Sequence, residues 1–184
     1  PRTIFLSCGN SARTGLAEAS VDMVVTDPPF FDNVHYSELA DFFYAWQQLR
    51  PSHFAHERPT TRHPDEVQDT SAASFAAKLE AVFAECCRVL RDDGLLIFTY
   101  HHSRTEGWSA LAEAVLGAGF SFVNAHPVKA EMSVATPKSQ AKEPIQLDMI
   151  MVCRKRSTDR RPRAATDTAF AIALTRAERK LARL

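Results

Sequence analysis

A short apolar segment that stops at two consecutive prolines does most to constrain the fold of this 184-residue chain. Residues 21–26 read Val-Asp-Met-Val-Val-Thr, and β-branched residues of this kind favour strands. The mostly apolar character indicates a strand buried within a parallel sheet. Pro28 and Pro29 have a fixed φ and no backbone N–H, so the strand has to end before them. The segment therefore predicts a buried parallel strand that leads into a rigid turn.

Strand and helix patterns alternate along the rest of the chain. Strands are predicted at residues 4–7, 95–100, 120–124 and 147–153, and helices at residues 39–49, 75–90, 108–116 and 170–184. A polar segment at residues 51–70 is predicted to be a long surface loop, and residues 92–94 are predicted to form a turn. This alternation predicts an α/β fold with a doubly wound, mostly parallel sheet. Because no helix separates the last two strands, one of them is predicted to be antiparallel.

The composition narrows the class of protein. A hydrophobic content of 45% is enough for the core of one domain. No apolar run approaches the roughly 20 residues that a membrane span needs. The four cysteines lack C-x-x-C spacing, which favours a reducing compartment and predicts a cytoplasmic protein. The net charge is zero, but ten Lys and Arg residues against three Asp and Glu follow from position 154 onward, so attraction of this tail to phosphates stays open.

Four residues at the end of the predicted strand form the candidate catalytic site: Asp27, Pro28, Pro29 and Phe30. Ligands of open α/β sheets bind at the carboxyl ends of the strands. The Asp27 carboxylate and the Pro28 carbonyl can accept both N–H bonds of an exocyclic base amine, which draws its lone pair out of conjugation. Phe30 offers a ring on which a base extruded from a duplex can stack. In the alternative interpretation, the prolines merely end the strand and Phe30 returns to the core.

The segment also resembles a known family. Residues 26–30 match motif IV of the amino-methyltransferases, and residues 31–39 and 41–46 resemble the large bacterial and archaeal adenine-specific DNA methylases of the zinc-ribbon-containing type. The likeness continues through residues 94–102, 108, 119–120, 127–131 and 148–156, so it spans roughly residues 4–156. It implies a partial Rossmann-like class I methyltransferase fold, S-adenosyl-L-methionine as cofactor, and transfer of a methyl group to the N6 amine of an adenine flipped out of DNA.

Two features of that family are missing from the sequence. The chain has six glycines but no G-x-G cluster for the cofactor-binding turn, and no cysteine pairs for a zinc ribbon. We therefore expect the first strands of the fold to be absent, and an upstream fragment or subunit to supply the glycine-rich motif. Residues 8–12 resemble the loop near the cofactor's adenine ring, which makes Asn10, Ser11 and Asp27 the expected cofactor contacts. Residues 1–156 are expected to form the C-terminal, methyl-acceptor part of the domain, followed at residues 157–184 by a basic linker and a helix.

Further side chains near the motif are candidate substrate contacts: Phe31, Asn33, Tyr36, His101 and His102. The two histidines end a predicted strand on the face where ligands bind. Phe31 and Tyr36 are equally compatible with a role in the core. Lys129 and Glu131 lie in a region where the resemblance implies target-strand contacts. No metal site is expected, because the histidines of the long loop, His53, His56 and His63, lack tight ligand spacing.

Other functions remain open at this point. RNA and protein amino-methyltransferases use a similar motif, commonly with Asn in place of Asp27. A truncated methyltransferase domain could also act as a non-catalytic module that only binds DNA or a partner chain. We expect weak or absent cofactor binding by the isolated chain, because the glycine motif is missing. A phospho-acceptor receiver domain would need an earlier acidic pair and a later Lys at a strand end, and neither is present.

Overall fold

The computed structural model describes residues 3–49, 58–129 and 147–156, together with Thr175 and Arg179. The helices and strands of these ranges are, in chain order, β1 (Val21–Thr26), α1 (Tyr36–Gln48), α2 (Ala72–Val89), β2 (Leu90–Tyr100), α3 (Thr105–Gly117), β3 (Phe120–Lys129) and β4 (Leu147–Lys155). None of the helices in the described ranges is long and apolar enough to cross a membrane.

The strands form one mixed sheet in the order β1-β2-β4-β3. β1 and β2 are parallel, whereas β4 is antiparallel to both of its neighbours, β2 and β3. Of the described strands, three therefore run in one direction and β4 runs in the other. This confirms the mixed α/β fold with a mostly parallel sheet and one antiparallel strand. The antiparallel strand is β4, one of the last two strands, as predicted from the sequence.

One face of the sheet carries the core of the described residues. Leu96, Phe98 and Tyr100 alternate along β2 and are buried, whereas the residues between them are half-buried. They pack in one cluster with the apolar faces of α2 and α3, which include Phe75, Leu79, Phe83, Leu111 and Val115. The 3.6-residue periodicity of these helices places their apolar side chains on one side, where the sheet buries them. This cluster holds β2 in place and so positions the end of the strand.

The start of α2 is fixed by a compact set of polar contacts. Ser71 caps the helix by accepting a hydrogen bond from the Ser74 backbone N–H. The Asp69 carboxylate accepts hydrogen bonds from the Ser71 backbone N–H, the Ser74 hydroxyl and the Lys78 ammonium group. These donors hold the pKa of Asp69 far below its usual value.

β1 lies at the edge of the sheet formed by the described strands and pairs with β2. The side chains of Met23 and Val25 are 50% and 70% exposed. Among the described residues β1 is therefore parallel to its neighbour as predicted, but the predicted burial of this strand is wrong, because it lies at an edge and one of its faces is uncovered. The apolar side of α1 is also uncovered. This helix forms at the predicted place, but none of its side chains is buried among the described residues.

Some segments differ from the sequence predictions. Residues 4–7 have no strand structure, and the side chains of Ile4, Phe5 and Leu6 are exposed, so the predicted strand there is wrong. An isolated β-segment has no ladder to satisfy its backbone, and no described strand pairs with it. Residues 92–94 belong to β2, so the turn predicted there is wrong. Val21 pairs with Leu90 and Met23 with Leu95, which shows that these residues form an insertion within the strand. The segment 157–184 lies outside the described residues except for Thr175 and Arg179, which are helical.

Candidate active site

Asp27 lies at the open end of β1, where its side chain is exposed. The register pairs Thr26 with Phe98, which brings Asp27 beside Thr99 of β2. The Thr99 hydroxyl donates a hydrogen bond to Oδ1 of Asp27. One carboxylate oxygen of the candidate catalytic residue is therefore held by the neighbouring strand.

The turn after Asp27 is rigid and locally strained. Pro28 is buried, and the Asn33 backbone N–H donates to the Phe30 carbonyl at 3.1 Å. Phe31 has φ +49°, a left-handed conformation that is uncommon for a bulky residue. Strain of this kind concentrates at ligand-binding and catalytic sites. None of the hydrogen bonds among the described residues has the carbonyl of Pro28 or Pro29 as its acceptor.

Phe30 is half-buried and lies between the core and the site. Its ring meets Tyr100 edge-on, with 5.5 Å between centroids and an interplanar angle of 84°. It meets the His101 ring at 4.4 Å and 45°. The Tyr100 hydroxyl donates to the Gly107 carbonyl at 3.0 Å, and burial raises the pKa of this phenol strongly. Phe30 is thus supported from beneath by groups that are themselves fixed.

His101 and Asp148 form a second polar pair at the same edge of the sheet. Nδ1 of His101 is hydrogen-bonded to Oδ1 of Asp148 on β4, and both side chains are largely buried. A carboxylate only accepts hydrogen bonds, so Nδ1 carries the hydrogen. Nε2 of a neutral His101 is then an acceptor. The pair therefore fixes both the orientation and the tautomer of the imidazole that touches Phe30.

Phe31 and His102 face the interior. Phe31 is 1% exposed, and its ring lies 5.5 Å from the rings of Phe75 and of His102. The structure thus places Phe31 in the core, where it presents almost no surface to a substrate. The core alternative therefore holds for Phe31. Nδ1 of His102 accepts a hydrogen bond from the Arg104 backbone N–H at 3.0 Å, which indicates a local structural role.

Two other candidate substrate residues remain at the surface. Asn33 is exposed at the end of the strained turn, and Tyr36, the first residue of α1, is 49% exposed. Both are close in the chain to Phe30 and accessible from solvent. Lys129 is the last residue of β3 and is exposed, whereas Glu131 lies outside the described residues, as do His53 and His56.

The expected cofactor contacts Asn10, Ser11 and Asp27 are not joined to one another by hydrogen bonds of the described residues. Asn10 accepts a hydrogen bond from the Ala12 backbone N–H at 2.8 Å and donates to Asp65 at 3.1 Å. Ser11 is exposed. Neither side chain hydrogen-bonds to Asp27 within the described ranges. Asn10 is instead held against the loop that precedes α2.

The N-terminal segment is anchored on α2 by a carboxylate that the sequence did not single out. Glu85 accepts hydrogen bonds from the backbone N–H and the hydroxyl of Thr14, at 2.9 and 2.7 Å. The Arg88 guanidinium binds the same carboxylate at 2.8 Å, and these donors lower the pKa of Glu85 to about 2. The contact ties the residues before β1 to the helix that packs against the sheet.

The described part of the long polar loop is bound to α1. Asp41 of α1 accepts hydrogen bonds from the hydroxyls of Thr60 and Thr61, at 2.6 and 2.7 Å. These donors, together with the Thr61 backbone N–H, lower the pKa of Asp41 to about 2. Glu66 accepts a hydrogen bond from the Ser37 backbone N–H at 3.2 Å. Polar contacts, and not apolar burial, therefore hold this loop on the first turns of α1.

Thr99 and Asp148 are the site residues that the sequence predictions missed. Thr99 is two positions before His101, so the alternation of a strand places both on the same side of the sheet. That spacing is a signal that the sequence contains. Asp148 has no such signal, because its place beside His101 depends on the antiparallel register of β2 and β4, in which Tyr100 pairs with Met149.

Comparison with known proteins gives matches to DNA methylases. A structure of TTHA0409 from Thermus thermophilus, a protein assigned as a DNA modification methylase, has 18% sequence identity and a TM-score of 0.46, covering 84% of this chain and 55% of that one. A structure of the same protein in complex with S-adenosyl-L-methionine has 18% identity and a TM-score of 0.45, covering 84% and 56%. The chain thus spans about half the length of these structures.

No curated protein gives a significant match. Residues 21–176 match the N6/N4 methyltransferase family, which is described as DNA methylase. The matched region begins at β1 and contains the whole sheet of the described strands together with the Asp-Pro-Pro-Phe turn. The chain therefore belongs to the DNA methylase family of N6 and N4 methyltransferases.

Proposed function

We propose that this chain forms the methyl-acceptor half of an S-adenosyl-L-methionine-dependent DNA methyltransferase that acts on the N6 amine of adenine. The observation that carries the proposal is the exposed Asp27 carboxylate at the end of β1, with one oxygen held by Thr99 and, next in the chain, a proline carbonyl to which no described residue donates. Family membership supports methyl transfer to DNA. The resemblance beyond motif IV supports the large zinc-ribbon-containing adenine-specific type.

The amine of adenine is a poor nucleophile because its lone pair is delocalised into the ring. Asp27 accepts one N–H of this amine and the Pro28 carbonyl accepts the other. Fixed acceptors on both hydrogens favour a pyramidal nitrogen, whose lone pair is free to form the new N–C bond. As the amine becomes positively charged, the Asp27 carboxylate stabilises it and is placed to receive a proton.

Phe30 provides the surface against which the base stacks. An adenine has to leave the duplex to reach Asp27, and stacking on an aromatic ring offsets part of the free energy of unstacking. Tyr100 and His101 contact the Phe30 ring, so that it does not have to be ordered when the base arrives. Asn33, Tyr36 and His101 are the proposed polar contacts to the base or to its backbone.

S-adenosyl-L-methionine, when bound, supplies the electrophilic methyl group. The residues at this edge fit one side of such a cofactor, because the exposed Asp27 carboxylate complements the positive charge of a sulfonium. Asn10 and Ser11 are proposed to contact its adenosine part. Since the sequence has no G-x-G turn, we propose that the isolated chain binds the cofactor weakly.

The open edge of β1 is the proposed attachment point of the polypeptide that brings the glycine-rich turn. Among the described strands nothing pairs with this edge. A further strand added here would pair with the unpaired backbone N–H and C=O groups of β1. Such an upstream fragment or subunit completes the cofactor site in this proposal.

Choice of adenine over cytosine is part of the proposal. The matched family includes both N6 and N4 enzymes. Asp27 favours adenine, because enzymes that methylate cytosine N4 more often have Ser at this position. The extended similarity through residues 31–46 favours the same choice.

The test is a methylation assay with labelled S-adenosyl-L-methionine on separate pools of DNA, RNA and protein, using the intact protein and its Asp27→Ala variant. We expect label in DNA, recovered as N6-methyladenine, and at least a hundredfold less with Asp27→Ala. Label at cytosine N4, in RNA or in protein would reassign the acceptor. DNA binding without label would favour the non-catalytic alternative, and activity that persists in Asp27→Ala would overturn the mechanism.

Calorimetry tests whether the cofactor site is divided between this chain and an upstream segment. We expect weak or absent binding of S-adenosyl-L-methionine to residues 1–184 alone, and tighter binding once the upstream segment is present. Micromolar affinity of the chain by itself would contradict this division.

A further inference from the structure

Thr99 is placed so that its hydroxyl has little freedom. β2 lies between β1 and β4, and Thr99 pairs with Ile150 of β4 on one side while Asp27 lies on the other. A strand paired on both sides fixes the Thr99 backbone. The branched Cβ then restricts χ1 to few rotamers, so the hydroxyl has a nearly fixed position.

Asp27 has no comparable restraint of its own within the described ranges. It follows the last residue of an edge strand, and its side chain is exposed. A free aspartate in this position would sample several rotamers, and in many of them its oxygens would point away from the neighbouring proline carbonyl. Among the described residues, the bond from Thr99 is the hydrogen bond that holds this carboxylate.

The hydrogen bond from Thr99 also gives the two oxygens of the Asp27 carboxylate different roles. The Thr99 hydroxyl occupies Oδ1, which leaves Oδ2 for another donor. A carboxylate oxygen has room for an incoming N–H, and the Pro28 carbonyl next to it accepts no hydrogen bond from the described chain. Fixing Oδ1 therefore fixes the direction from which Oδ2 can meet an amine.

We propose that Thr99 is a positioning residue for methyl transfer: its hydroxyl fixes the Asp27 carboxylate so that Oδ2 and the Pro28 carbonyl meet the two hydrogens of the acceptor amine together. This inference rests on the proposed function. Thr99 acts through Asp27 and does not touch the base. Its contribution appears when the amine is held for reaction, and not when DNA is first bound.

The experiment compares Thr99→Val with Thr99→Ser in the intact protein. Val keeps the shape and the β-branch but removes the donor, whereas Ser keeps the donor. We expect Thr99→Val to lower the single-turnover rate of DNA methylation about tenfold or more, the effect of losing a hydrogen bond to a charged group. The Kd for DNA should stay within about twofold, because the Thr99 hydroxyl acts on the transition state and not on the binding of DNA. Thr99→Ser should recover most of the rate.

Controls separate this role from folding and from the proposed function. Thr105→Val makes the same change on the first turn of α3, at an exposed residue away from Asp27. Melting temperatures of all variants report on folding, and Thr99→Ala is a second variant without the hydroxyl in case Val disturbs the strand. Absence of methylation by the unmodified protein would contradict the proposed function itself. An active protein that loses activity with Asp27→Ala but not with Thr99→Val or Thr99→Ala would overturn the role of Thr99 alone, as would a Ser variant as slow as Val.

Discussion

His101, the residue after the end of β2, is hydrogen-bonded through Nδ1 to the carboxylate of Asp148 on β4. The same imidazole lies 4.4 Å from the Phe30 ring, between centroids. A carboxylate on the antiparallel strand is thereby connected, through one side chain, to the ring that is proposed to stack on the base.

Replacing Asp148 tests this connection. Asp148→Ala removes the acceptor for Nδ1–H, so the imidazole loses its fixed orientation and Phe30 loses its support. We expect the methylation rate to fall about tenfold, the scale of a lost hydrogen bond to a charged group. Asp148→Asn keeps an acceptor oxygen and should retain most of the rate. Equal losses in the two variants would show that charge, and not orientation, is what matters.

Phe30 is the next residue to change. Phe30→Leu keeps apolar volume but removes the aromatic face, so binding of an extruded base should weaken by about 1–3 kcal/mol. The measurement is a titration of duplex DNA that contains 2-aminopurine at the target position, whose fluorescence rises when the base unstacks. Phe122→Leu, at a residue of β3 that is 37% exposed, is the matched control. An unchanged fluorescence response in Phe30→Leu would contradict stacking.

Glu85 gives the fold a defined pH dependence. Its pKa is lowered from 4.5 to about 2, first by the Arg88 hydrogen bond and then by those from Thr14. The folded state thus holds the charged form more strongly than the unfolded chain does. The resulting stability is fully present above about pH 4.5 and is lost as the pH falls towards 2.

Urea unfolding of the wild type and of Glu85→Gln, measured between pH 6 and about pH 2.5, tests this dependence. The free-energy difference between them should shrink as the pH falls. Glu113→Gln, at an exposed position of α3, is the control and should follow the wild type throughout. A constant difference across this range would assign the role of Glu85 to something other than its charge.

Gly107 is a position where only glycine fits. A Cβ there would lie 2.5 Å from Cγ of His102, so the imidazole would have to move. The Gly107 carbonyl also accepts the Tyr100 hydroxyl, which supports Phe30. We expect Gly107→Ala to cost about 1–3 kcal/mol in unfolding free energy, typical of overpacking.

The matched control for Gly107 is Gly9→Ala, where an added Cβ meets nothing within 4 Å among the described residues. Thermal denaturation followed by circular dichroism compares the two variants. A Gly107→Ala protein as stable as Gly9→Ala would mean that His102 moves without cost.

Much of the fold is determined by local patterns in the sequence. The strand that ends before Pro28 forms β1, because apolar β-branched residues followed by a chain-breaking pair allow little else. The stripe that contains Phe75, Leu79 and Phe83 forms the buried face of α2, because a helix needs only its own periodicity to define a face. The antiparallel direction of β4 agrees with the prediction made from the two successive strand patterns at residues 120–124 and 147–153. The Asp-Pro-Pro-Phe segment marks the end of the sheet at which a ligand is predicted to bind.

The tertiary structure decided whether residues that are adjacent in the sequence lie in the core or beside the candidate site. Phe30 and Phe31 are adjacent and chemically identical, yet Phe30 borders the site while Phe31 is 1% exposed in the core. The left-handed conformation of Phe31 separates them, and no local pattern specifies that conformation. In the same way, residues 4–7 have the composition of a strand but lack a partner among the described strands, because strand formation depends on a ladder supplied by another segment.

The polar contacts of the site depend on long-range register. Thr99 reaches Asp27 across 72 positions, and His101 reaches Asp148 across 47. The sequence by itself determined which residue types end each strand, since that information is carried by a few consecutive residues. Only the packed sheet decided which of these ends meet, because a shift of one residue in either ladder would turn Thr99 or Asp148 to the opposite face.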